Sequence, residues 1–202
     1  MWIDSRLQAI GFPEEGYRLL QPSYLAATLL SDACEDFSFG WLLIQDARIA
    51  MLAKLAGVPL LGLEHFDAIL NRLRDDPTNQ IAMSIIASYG AYLDPNIGKA
   101  DLALTLKLYL EGRIGVLETM DRDWITRRIG ERSGLEMYQT MDNYMIVERN
   151  RNFFDSALPQ TESGGAFIAI GSFHLPGKTG LPAMFAAQGY NVERVWVAGE
   201  VH

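Results

Sequence analysis

The last forty residues constrain the fold more than any other part of the sequence. Residues 166–171 (AFIAIG) are an uncharged apolar run with the length of a buried strand. A loop follows through His174 to Gly177. Apolar residues then return at helical spacing over residues 181–188, Gly189 supplies a stop, and a second strand is predicted around residues 192–197. Strand, helix and strand joined by short connections make a βαβ unit, whose strands run parallel with a right-handed crossover. The expected fold is therefore α/β, and chemistry in such folds gathers at the carboxyl ends of the strands.

Upstream, residues 58–64 (VPLLGLE) form another short apolar run, bounded by Gly57 and a carboxylate. They read as a further buried strand, with Pro59 near its start. Before it, residues 23–56 place apolar side chains three and four apart, which predicts two or three helices broken near residues 32–37 and stopped at Gly57. Residues 65–159 offer no convincing second strand and predict a helical cap of four to six helices. Leu102, Leu104, Leu106, Leu108 and Leu110 alternate as a strand would, but leucine with Ala, Thr, Lys and Tyr between favours helix over a β-branched strand. Residues 124–134 read as an exposed helix, and residues 135–158 as a long one stopped by Pro159. The whole is a helix-rich α/β chain, with a small, mostly parallel sheet and a helical cap.

No repeat or low-complexity tract divides the 202 residues, so the chain reads as a single domain, 1–202. Seventeen Lys and Arg against twenty-five Asp and Glu give a formal charge of -8, which offers no basic surface to nucleic acid. The single cysteine, Cys34, closes no internal disulfide and sits in no zinc-ligand spacing. The amino-terminal residues lack the basic and apolar regions of a secretion signal, and no run approaches the ~20 apolar residues of a spanning helix, so no transmembrane segment is expected and the compartment stays open.

His174 is the first candidate for chemistry. In GSFH, Gly171 lets the backbone turn as it leaves a strand, and His174 projects over the strand end, where a metal or a proton acceptor is useful. The alternative is a hydrogen-bonded structural histidine. Glu64 ends the other strand on the same rim. It reads either as functional or as a carboxylate stabilising the next helix, with His65 a surface residue. Residues 148–154 (ERNRNFF) put Glu148 and Arg151 on one helical face and Arg149 and Asn152 on another, which a solvated charged face would also explain. The GKT at residues 177–179 is not a phosphate loop: five residues, including Phe173 and Pro176, separate Gly171 from Gly177 where four are needed. It reads instead as a helix start capped by Thr179.

These segments resemble a known family. Residues 166–195 match the ending of TraB/GumN proteins, the group that includes the Tiki proteases: an apolar strand, GxxH, LxGxxG, an apolar helix, then GYxV. Residues 46–64, 109–118 and 148–151 look like upstream landmarks in the family's order, so the resemblance spans about residues 40–197. It implies a fold related to the erythromycin esterase and ChaN-like group and, in the Tiki branch, a metal-dependent peptidase. Carried onto this sequence, it implies His174 and Glu64 as metal ligands, with Glu64, His174 and Arg149 catalytic and Asn150 and Gly171 contacting a peptide or small-molecule substrate. The metal would be a divalent ion, Mn, Co or Zn.

The family pattern also has an earlier GTxH strand that these residues do not contain. That leaves open a non-catalytic binding or sequestering module, or a truncated relative with an incomplete site. It also raises homo-oligomerisation through an open sheet edge. A second GxxH, residues 199–202 (GEVH), closes the chain. Many family members are exported.

Overall fold

The computed structural model describes residues 7, 8, 11, 13, 16–30, 45–65, 67–91 and 95–195. Among them the chain is helical. α1 (Pro22–Leu30) opens with proline at a position where no amide is needed. α2 (Gln45–Leu55) has Asp46 in its first turn and Lys54 in its last, each matching the helix dipole. Gly57, at φ +69°, closes it: the Gly57 and Val58 amides donate to the Lys54 and Ala53 carbonyls, a left-handed termination that glycine accommodates without strain.

Next come α3 (Ala68–Arg74), α4 (Gln80–Ala91), α5 (Pro95–Leu110), α6 (Gly115–Ile129) and α7 (Glu131–Asp142). α7 continues through one π-helical stretch, Asn143–Val147, into α8 (Glu148–Ser163). α9 (Leu181–Ala187) follows a short 3-10 turn, Ser172–His174, and an earlier 3-10 turn spans Gly16–Leu19.

Asp76 starts α4. Its buried carboxylate accepts from the Thr78 amide and hydroxyl at 3.0 and 2.7 Å and from the Ile81 amide at 2.9 Å, satisfying donors that a helix start leaves over. α4 then lies at the centre of the core, burying Ile81, Ala82 and Ile85 against Ala26, Leu73 and Tyr144. Each fully buried aliphatic side chain contributes about 1.5–3 kcal/mol relative to exposure. Leu7, Leu25 and Leu29 extend this core, and Ile125 and Tyr138 join α6 to α7. A separate cluster matters most for the site. Phe153 and Phe154 of α8 pack with Leu181 of α9, and Leu63, Ile168 and Ile170 rest on them.

The expected α/β architecture is not what forms. Among the described residues there is no strand, hence no parallel sheet and no βαβ unit. Residues 58–62 and 165–171 run without regular structure, as do residues 190–195, and residues 196–197 lie outside the described set. The apolar runs were read as strands buried on both faces. Leu63, Ile168 and Ile170 are partly buried, packed on the α8–α9 cluster, while Val58, Leu60, Leu61, Phe167 and Val195 are exposed. A strand is defined by its ladder, and no backbone hydrogen bond joins these segments to one another. With no sheet, the expectation of self-association through an open sheet edge loses its basis.

The helical middle is closer to expectation. The alternating leucines lie in α5, with Leu102, Leu106 and Leu110 four apart and exposed. Two boundaries differ. Gly130, at φ +114°, breaks residues 124–134 into the end of α6 and the start of α7. Pro159 does not stop α8, which runs to Ser163. Proline there removes one amide donor and crowds the carbonyl four residues back, at a cost of about 3 kcal/mol that the surrounding packing offsets. The Thr161 and Ser163 hydroxyls donate back to the Leu158 and Pro159 carbonyls and tie the last turn. The predicted break at residues 32–37 and the GEVH at residues 199–202 lie outside the described residues. No helix among those described is long and apolar enough to cross a membrane.

Candidate functional site

α8 supplies the platform. Phe153 lies four residues after Arg149 and three after Asn150, so its ring neighbours both side chains on the helix surface. The segment ending in Glu64 is pinned there by Ser156, whose hydroxyl donates to the Leu63 carbonyl at 2.9 Å. Arg149 then meets Glu64: its Nε donates to both carboxylate oxygens at 3.1 Å, and its Nη2 donates to Oε1 as well. This ion pair is about three-quarters shielded from solvent on each side. The guanidinium also lies 5.1 Å from the Phe153 ring centroid, and its Nη1 donates to the Met145 carbonyl at 3.4 Å. Glu148 does not pair with Arg151. It meets Arg72 at 3.4 Å and accepts from the Asn143 side-chain Nδ2 at 2.9 Å.

His174 closes the 3-10 turn that leaves Gly171, its amide donating to the Gly171 carbonyl at 2.9 Å. The imidazole is buried, with Nδ1 2.7 Å from Asn150 Oδ1 and the ring edge-on to Phe153 at 4.9 Å. Asn150 is wholly buried, and its side-chain amide donates to the Thr179 carbonyl at 2.8 Å and, at 3.4 Å, to the His174 carbonyl. Burial, aided by the nearby Arg149 charge and partly opposed by Glu64, lowers the His174 pKa to about 4. At neutral pH only about one ring in a thousand would be protonated. Such a group is a weak base but a ready lone-pair donor.

Leu175 and Pro176 fold back over Gly180, the residue before α9. A Cβ on Gly180 would fall 2.1 Å from the Leu175 carbonyl oxygen and 2.4 Å from that of Pro176, so only glycine fits. Gly180 also takes the cap position expected of Thr179, and no side chain caps α9. The Thr179 carbonyl serves Asn150 instead.

Glu64, Arg149, Gly171 and His174 line one open cleft of about 270 Å³, together with Asp46, Leu61, Leu63, Phe153, Ala169 and Ile170. The structure thus brings four of the five sequence-predicted residues to one surface and puts the fifth, Asn150, beneath it. His65 is exposed away from this group. Asp46 and Phe153 are site residues that sequence reasoning missed. Phe153 was legible as the residue one helical turn after Arg149. Asp46 opens the family-like stretch 46–64, but no spacing singled it out. A larger groove of about 680 Å³ lies between α4 and α7–α8, lined by Arg72, Asp76, Glu136, Asp142 and Glu148 among others, and holds none of the predicted residues. Among the described residues, no three His, Cys, Asp or Glu side chains come together as a metal site would require.

Over residues 3–194 the sequence matches the TraB/PrgY/gumN family. The chain belongs to that family. No curated protein and no solved structure matches it. In this TraB/PrgY/gumN member, the ending picked out in the sequence is the part that folds over α8: residues 168–171 on Phe153 and Phe154, the GxxH turn on Asn150, and α9 behind it. The landmarks at residues 46–64 and 148–151 supply the cleft's carboxylate and its arginine.

Proposed function

We propose that the cleft between the Glu64 segment and the GxxH turn is a hydrolytic site acting on a peptide or small-molecule substrate, with a divalent ion, Mn, Co or Zn, as cofactor. One observation carries the reading: among the described residues His174 Nε2 has no hydrogen-bond partner, although His174 is only 6% exposed and lines the cleft. A buried polar atom without a partner is costly, and a ligand is one way to satisfy it.

The donor set fits a metal in part. His174 Nε2 and Glu64 would hold the ion, Glu64 by giving up part of its contact with Arg149. When bound, the ion would supply Lewis acidity to the scissile group and to water. The protein's own contribution is a neutral imidazole held in place, and a guanidinium that neutralises Glu64 or, when released from it, the developing oxyanion. Exposed Gly171 lets a substrate backbone approach the turn. The low basicity of His174 favours a ligand role over that of general base.

A second reading, a non-catalytic binding module, is favoured by the engagement of both Glu64 oxygens with Arg149. Incubation with a quenched-fluorescent peptide library, with and without added Mn²⁺, Co²⁺ or Zn²⁺, separates them. Metal-stimulated cleavage that disappears in His174→Ala supports the hydrolase. Peptide retention without cleavage supports the binding module.

A further inference from the structure

Asn150 was expected to touch substrate, but its position argues for a different task. Its side chain is wholly buried and has carbonyl oxygens on two sides, Thr179 O at 2.8 Å and His174 O at 3.4 Å. Carbonyl oxygens only accept, so the amide NH₂ must face them, since the flipped orientation would set Oδ1 against two like partial charges. That leaves Oδ1 as the group 2.7 Å from His174 Nδ1. An amide oxygen cannot donate, so Nδ1 carries the proton. The neutral ring then has its lone pair on Nε2, the nitrogen without a partner among the described residues, in a side chain that lines the cleft.

We infer that Asn150 is a positioning residue: by accepting from Nδ1 it holds His174 in the Nδ1–H tautomer and keeps the Nε2 lone pair free for whatever binds in the cleft. The Asn150 side chain is itself oriented by the backbone of the 174–179 loop, so helix α8, the GxxH turn and the start of α9 set one proton's place together. A partner on the second ring nitrogen is the usual way proteins fix the orientation and tautomer of a ligating histidine. This inference rests on the proposed site only for its use; the tautomer itself is a property of the protein without ligand.

The test is long-range ¹H–¹⁵N correlation spectroscopy of the full chain at neutral pH, with no metal added. A pyrrole-type Nδ1 and a pyridine-type Nε2 for His174 are expected. A protonated Nε2 overturns the inference. Asn150→Leu, of similar size with no acceptor, should release the tautomer and lower Co²⁺ affinity by about 10–100-fold. If Asn150→Leu does not fold, the wild-type spectrum decides alone. A Nδ1–H tautomer in a protein that binds no metal keeps the positioning role and removes the metal, so the two readings fail separately. An unchanged tautomer in folded Asn150→Leu overturns the role of Asn150.

Discussion

Arg149 in the first turn of α8 and Glu64, 85 residues earlier, form a two-pronged ion pair that fastens the 58–64 segment to the helix beneath it, beside the Ser156–Leu63 hydrogen bond. A pair shielded to this degree lies between the surface case, worth about 0–1 kcal/mol, and the buried case, in which removing one partner costs about 3–5 kcal/mol. Glu64→Gln and Arg149→Met should each destabilise the chain by about 1–2 kcal/mol, and a double-mutant cycle in urea should return a coupling above about 0.5 kcal/mol. Strict additivity would mean that the contact contributes little and that Leu63 and Ser156 hold the segment.

Gly180 has no room for a methyl group. Gly180→Ala places a Cβ against two backbone oxygens that cannot rotate away, and it should cost about 1–3 kcal/mol and lower the melting temperature. Because Thr179 O orients Asn150, the same change should disturb the His174 ring resonances. A variant with wild-type stability and spectrum would mean that the 175–180 loop moves freely.

Asp76 makes the start of α4 sensitive to acid. Hydrogen bonds from Thr78 and Ile81 hold its pKa below the ordinary value of 3.8. The stabilisation is therefore complete above that value and is lost as pH falls through the lower, folded pKa. Asp76→Ala should cost about 1–2 kcal/mol at neutral pH. The gap from wild type should narrow at the acid end of a pH-resolved urea series, and a gap constant with pH would contradict this account.

His174 gives a second slope at higher pH. Its folded pKa, about 4, lies below the unfolded 6.5, so the unfolded chain takes up the proton first. Stability from this group is complete above pH 6.5, declines as pH falls towards about 4, and then levels. His174→Gln should flatten that part of the wild-type profile, and an unchanged slope would place its origin elsewhere.

How much of this was legible in the sequence depended on whether the signal was local. Helical periodicity found α1, α2 and most of the cap, and Gly57 and Gly189 marked real chain reversals, because such signals need only neighbours along the chain. The apolar runs at residues 58–64 and 166–171 were taken as strands on composition, yet a strand requires a ladder partner that composition does not supply. Leu63, Ile168 and Ile170 use their apolar character against α8 instead. At the site, Glu64 and His174 were singled out from residue type and position and Arg149 from the family resemblance, and their convergence was expected at the ends of strands. It occurs on a helix face. Asn150 lies beneath the cleft, and its partners, Thr179 and His174, come from a loop whose path no spacing in α8 predicts.

The central claim is that His174 offers a free lone pair to a ligand in the Glu64–Arg149 cleft. Isothermal titration of the full chain with Co²⁺ at neutral pH, set beside His174→Ala shown by circular dichroism to be folded, tests it most directly. The account predicts one binding event per chain in the wild type, weakened at least tenfold by the substitution, a loss of about 1.4 kcal/mol. Equal binding by both proteins, or none by the wild type, would contradict it.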